Sequence, residues 1–201
     1  MQNIKNDNKN NTSNIQLKRL DLQLHVDSYT KNIADLTETI KQDSEDVEAN
    51  FSRGMVHSYQ VIYGELILAY NKDIDALDAE NAIAHDYKDM VQLLDGYCDA
   101  AIQDLTKAIE LGLVGAVAYE LRGKMYLQKG NCDKAIADYT EALGLDAKNV
   151  EAYEGRAMAH FRKNHLEEAW SDVEACQRRN GDVDPAFLAA LYKASEKPDG
   201  R

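Results

Sequence analysis

Five histidines, three cysteines and a surplus of carboxylates are the residues of this 201-residue chain whose types could do chemistry. A metal site on one helix face needs two ligands about a turn apart, as in HxxxH. His25, His57, His85, His160 and His165 offer no such pair. Cys98, Cys132 and Cys176 are odd in number and widely spaced, with no CxxC. They read as small buried hydrophobes, not as ligands or a disulfide framework. The acidic run from Asp73 to Glu80 lacks the ligand order and central glycine of a calcium loop, so it reads as a solvated helix end. No Ser, Thr or Cys stands in a nucleophile motif such as GxSxG, and the glycine turns are too isolated to cradle a phosphate. No catalytic group, metal or cofactor is expected, and the chain is read as a non-enzyme.

The charged residues recur instead. Lys88, Arg122 and Arg156 form a ladder with a step of 34, and Arg53 stands earlier in the same series. Asp104, Asp138 and Asp172 form a second ladder with the same step. An arginine at such a place is expected to lay its stem along a helix and pair with a carboxylate, a structural role.

The element behind these ladders is the stretch Ala116–Asn149. Tyr119, Arg122–Gly123, Tyr126, Ala135, Tyr139 and Ala142 alternate large and small positions as two helices packed face to face require. Gly130 suits the turn between them, where a residue without Cβ adopts φ > 0 freely. The next copy carries Tyr153, Arg156, Ala157, His160, Ala169 and Cys176 at the equivalent positions. Backward, Gly96, Cys98, Ala101, Asp104 and Ala108 keep the phase. This pattern resembles the tetratricopeptide repeat (TPR), a 34-residue helix–turn–helix unit, with Arg122–Gly123 at the usual Leu–Gly and Ala147 where Pro is common.

The resemblance implies an all-α fold: a right-handed α-solenoid of about five helix pairs plus a C-terminal capping helix. The expected units are 15–46, 47–81, 82–115, 116–149 and 150–183. In 47–81 a break at Gly64 would divide helices 47–62 and 65–77, and 82–115 would carry a worn first helix and a good second one. Asp184–Pro185 starts the cap at 184–195, with Asp as N-cap and Pro at the first helical position. Residues 1–14 are Asn-rich and nearly devoid of apolar side chains, so a disordered tail is expected there, and a loose tail over 196–201.

The resemblance also implies a concave groove lined by the first helices. Carried over residue by residue, it contains Ile83, Asp86, Met90, Leu93 and Leu94; Val117, Glu120, Lys124, Leu127 and Gln128; Glu151, Glu154, Met158, Phe161 and Arg162; and, from the cap, Leu188 and Tyr192. Apolar anchors beside acidic groups suit a basic or amphipathic protein segment or peptide. One TPR subclass holds chaperone C-termini with a Lys/Asn clamp. Here Glu120 and Glu154 stand at its Lys positions and Lys124 and Met158 at its Asn positions, so that mode is not expected. The net charge of −12 speaks against nucleic acid. No apolar run is long enough for a membrane span and no leader pattern is visible, so a cytoplasmic location is expected. The function expected is an interaction adaptor or scaffold. The alternatives are a self-assembling homo-oligomer, a structural subunit of a larger complex, or a chaperone.

Overall fold

The computed structural model describes residues 28–77, 84–112 and 115–195, and among these the side chains outside 65–93. Every regular element among the described residues is a helix. In order they are α1 (28–42), α2 (Val47–Leu77), α3 (Ala84–Glu110), α4 (Ala116–Gln128), α5 (Cys132–Leu145), α6 (Val150–Arg162), α7 (Leu166–Gln177) and α8 (Pro185–Ser195). The chain divides into two compact units, Met1–Asp104 and Leu105–Arg201, and α3 runs across the division. The expected tails 1–14 and 196–201, the first part (15–27) of the expected unit 15–46, and Asp78 and Glu80 lie outside the described residues.

In the second unit the sequence punctuates each helix. Gly130 ends α4 at φ 74°. Its N–H bonds Leu127 O at 3.0 Å and the Asn131 N–H bonds Tyr126 O at 2.8 Å, which together satisfy two of the last carbonyls. Asn164 does the same for α6 at φ 61°, and Asn180 ends α7 at φ 59°. Asparagine is the residue besides glycine that visits this region most readily, because its amide bonds the local backbone. Asn131 and Asn149 then cap the following helices by accepting from Lys134 N and Ala152 N.

Large and small residues interlock across these helices. Tyr139, Leu143, Leu127 and the alanines 135, 142, 152 and 159 form one buried cluster. Ala157, Ala169, Val173, Cys176, Val183, Phe187 and Leu191 form the next. A Cβ added at Gly123 would meet Asp138 and Tyr139 at 3.3 Å, so the glycine admits the Tyr139 ring. Asp184 accepts from Ala186 N at 2.9 Å and starts α8. Phe187 and Leu191 of α8 then cover the α7 side of the second cluster. Each such buried apolar side chain contributes about 1.5–3 kcal/mol.

The first unit departs from the expected helix breaks. α2 is one helix of 31 residues, and α3 one of 27. The break at Gly64 is absent, and so is any turn between the two expected helices of 82–115. A glycine inside a helix costs only about 1 kcal/mol against alanine, too little to interrupt a helix whose face is buried. Gly64 serves instead as a close-approach point, since a Cβ there would overlap the Leu94 side chain. Gly96, the counterpart of Gly130 by sequence phase, lies within α3 and is not among the glycines with positive φ. The two long helices pair antiparallel: Arg53 meets Asp104, the His57 ring lies 5.9 Å from the Tyr97 ring, and Gly64 faces Leu94.

Candidate functional site

The arginine ladder is structural. Arg122 on α4 donates Nε and Nη2 to the two Asp138 oxygens, both at 2.7 Å, and Nη1 to Thr106 Oγ1 at 3.1 Å. Arg156 repeats this with Asp172 and Thr140. Arg53 repeats it with Asp104 and Thr37. Each guanidinium thus ties its own helix to a following and a preceding one. The bidentate geometry holds each Arg pKa above its usual value, with burial as the opposing effect. The aspartate ladder was visible in the sequence; its pairing with the arginines needed the helix geometry. The side chain of Lys88 lies outside the description.

A cleft of about 170 Å³ opens between α4 and α6, lined by Glu120, Lys124, Leu127, Gln128, Tyr139, Glu151, Glu154, Gly155, Met158 and Arg162. Eight of the groove positions named from sequence therefore come together: Glu120, Lys124, Leu127, Gln128, Glu151, Glu154, Met158 and Arg162. The reason is register. α4 and α6 begin 34 residues apart, so equivalent residues on the two helices face one hollow.

Other expected positions fall elsewhere. Val117 is 48% exposed and outside the cleft lining. Phe161 packs edge-to-face on Phe187, ring centroids 5.6 Å apart, and Leu188 leans on the same cluster. Tyr192 stands against Trp170 of α7 at 4.5 Å, away from the cleft. Asp86 and Met90 lie on α3 where side chains are outside the description. They share that helix with Asp104, which answers to Asp138 on the second helix of its pair.

Two members of the cleft were not anticipated as lining residues, Tyr139 and Gly155. A Cβ at 155 would overlap the end of the Tyr139 ring, so Gly155 lets the hydroxyl end of that ring reach the cleft. The signal was the glycine itself, at a position where the preceding unit has Leu121.

Glu120 accepts from Asn149 Nδ2 at 2.8 Å, so the cap of α6 also positions a cleft carboxylate. Burial raises the Glu120 pKa; the Asn149 hydrogen bond opposes this and the Glu151 charge adds to it. Glu154 Oε1 accepts from Asp184 N at 2.9 Å. Arg162 Nη1 donates to Leu127 O at 2.6 Å. Burial, then the Glu120 charge, pushes the Tyr139 hydroxyl pKa well above its usual value. Among the described residues no cluster of three His, Cys, Asp or Glu could hold a metal ion, and no helix is long and apolar enough to cross a membrane.

Residues 123–164, from the middle of α4 to the end of α6, match the family model described as TPR repeat. No curated protein matches the chain. Among solved structures the chain is similar to the TPR domain of Arabidopsis OM64: 28% identical over 48% of this chain and 81% of that one, TM-score 0.45. It is similar to the second TPR domain of human RPAP3, solved in complex with an HSP70 peptide: 25% identical over 58% and 96%, TM-score 0.46. It is similar as well to the first TPR of Spaghetti (RPAP3) bound to an HSP90 peptide: 26% identical over 59% and 94%, TM-score 0.47. The similarity to the TPR repeat model is thus confined to residues 123–164.

Proposed function

We propose that the α4–α6 face is a non-catalytic docking groove for an extended or helical segment of a partner protein. The observation that carries this reading is the cleft itself. It combines apolar anchors, Leu127 and Met158, with charged groups held by the scaffold, Glu120 through Asn149 and Glu154 through Asp184 N. Anchors that fill a pocket supply binding energy, and fixed charges supply orientation and register. A Met side chain adapts its shape to the group it meets. Val117 at the edge of α4 extends the surface a docked segment would follow.

The test is site-specific photocrosslinking of the full chain in cells that express it. A benzophenone residue in place of Lys124 is expected to capture a discrete partner. The same residue in place of the exposed Glu141 on α5 should not. Equal capture at both places, or none at Lys124, overturns the reading. The reversal Glu120→Lys with Glu154→Lys is expected to abolish capture without loss of helicity.

A further inference from the structure

We propose that the cleft between α4 and α6 holds a cationic side chain, the guanidinium or ammonium of an arginine or lysine presented by the docked segment. The inference rests on the docking reading and names the chemistry of its central contact.

Three carboxylates, Glu120, Glu151 and Glu154, line the cleft, and among the described residues none of them makes an ion pair with a basic side chain. Two cations stand on the same lining, and Lys124 offsets part of the charge on Glu120 without forming an ion pair with it. Arg162 gives its Nη1 to the Leu127 carbonyl, and neither Arg162 nor Lys124 comes within ion-pair distance of a carboxylate. The hydrogen bonds that Glu120 and Glu154 do accept use Oε2 and Oε1 respectively, which leaves the other oxygen of each for a ligand.

Acidic residues grouped on a surface are common and prove nothing alone. The second observation is Tyr139. Its side chain is 2% exposed, its ring end lies against Gly155 in the wall of the cleft, and its hydroxyl has no hydrogen-bond partner among the described residues. The ring is held in the core while the hydroxyl oxygen opens onto the cleft, where a docked donor can reach it. The carboxylates of Glu120 and Glu154 act on this oxygen against the single opposing charge of Arg162, so it faces a surplus of negative charge that suits an N–H donor. An ammonium or guanidinium supplies several N–H donors from one centre of positive charge. One such group could bond the Tyr139 oxygen and the open oxygens of Glu120 and Glu154, and relieve the mutual repulsion of Glu120 and Glu151. A carboxylate or phosphate would meet the opposite field. The hollow, about 170 Å³, is large enough for the head of one such side chain.

The experiment is an NMR titration of the full isotope-labelled chain with acetyl-Leu-Arg-Leu-amide and its lysine, citrulline and norleucine analogues. The arginine and lysine peptides are expected to shift the amides of Glu120, Tyr139 and Gly155. The citrulline and norleucine peptides, which keep shape and lose charge, should bind about tenfold more weakly. The ratio between the arginine and lysine peptides distinguishes the two sources. Tyr139→Phe keeps the ring that the core needs and should weaken the cationic peptides severalfold, with little change for the neutral ones. Glu154→Gln should do the same. Equal binding of charged and neutral peptides at these amides overturns the cation subsite and leaves the docking groove standing. No shift at these amides with any peptide at about 10 mM, far above the range of specific contacts, overturns both.

Discussion

The pairs α2–α3 and α4–α5 close on the same bridge at very different distances along the chain. Arg122 and Asp138 are 16 residues apart, whereas Arg53 and Asp104 are 51 apart. Each arginine also reaches a threonine 16 residues before it, Thr106 in one case and Thr37 in the other. The ends of the two pairs that carry the bridge are thus built alike. The extra length, 35 residues (51 against 16), lies between the bridge partners, where it prolongs both helices and their connection. Extra length one residue longer than the 34-residue repeat looks like a repeat in the sequence, because everything on either side of it stays nearly in phase.

The sharpest way to break that equivalence is to remove the carboxylates. The Asp138 side chain is 8% exposed and that of Asp104 5%, so either loss strands a largely buried guanidinium. Asp138→Ala is expected to lower the unfolding free energy by about 3 kcal/mol, and Asp104→Ala by a similar amount. Replacing both partners of one bridge with apolar residues should cost less than removing the aspartate alone. Urea unfolding followed by circular dichroism measures all of these. An Asp104→Ala variant as stable as the parent chain would show that the long pair does not depend on its bridge.

The same comparison explains what the sequence could and could not tell. The second unit was legible almost residue by residue. Its large and small positions, its turn at Gly130 and its cap at Asp184 are local signals with a steric cause, whereas the turn at Asn164 became visible only in the structure. Arg53 and Asp104 were equally visible, and the two helices that carry them were assigned to separate units. Periodicity reports which positions are equivalent, not which helices are partners. The cleft was legible for residues whose place follows from helix register, such as Glu120 and Glu154. Tyr139 was read as scaffold because it fills the core. That it also reaches the cleft follows from Gly155, whose missing side chain acts across a helix boundary that no linear pattern displays. Tyr192 packs on Trp170, a contact between α8 and α7 that no local pattern in the sequence displays.

Close-approach glycines exist in both regions and should answer differently. A Cβ at Gly155 meets the rigid end of the Tyr139 ring, and one at Gly64 meets the far end of the Leu94 side chain. Gly155→Ala is expected to cost about 2 kcal/mol through overpacking, since a ring cannot swing aside. Gly64→Ala should cost under about 1 kcal/mol, because leucine can change rotamer and alanine favours the helix. Thermal melts of the two variants decide this. A larger loss at Gly64 would mean that the long pair is packed as rigidly as the short ones.

Gly96 and Gly130 form a second contrast, and here even the sign differs. They stand 34 residues apart and look interchangeable. Gly130 adopts φ 74° at a helix end, and alanine there should destabilise by about 1 kcal/mol. Gly96 is exposed within α3 with open space around its Cβ direction. Alanine there should stabilise by about 0.5–1 kcal/mol. Destabilisation by Gly96→Ala would place a turn at that glycine and restore a repeat in its own right.

The smallest expected effect concerns two histidines, one in each region, at the position where the central unit has Tyr126. His57 is buried near the Arg53–Asp104 bridge, its Nδ1 3.2 Å from Gln60 Oε1 and its Nε2 4.0 Å from Asp104. His160 keeps a buried Nδ1 with no hydrogen-bond partner among the described residues. Burial lowers both pKa values from the ordinary 6.5, and the nearby aspartates only partly offset it. The unfolded chain then takes up these protons at a higher pH than the folded one. The stability tied to neutral imidazoles is therefore fully present above about pH 6.5, declines as pH falls through that value, and levels off below the folded pKa values. Unfolding free energies at pH 7.5 and 5.5 should differ in that direction. Tyr is what the central unit places at this position, so His160→Tyr with His57→Phe should flatten the dependence. A pH slope unchanged in the double variant would assign it to the carboxylates of the chain instead. A slope removed by His57→Phe alone would show that the long pair, where the imidazole sits beside the bridge, carries the acid sensitivity of the whole molecule.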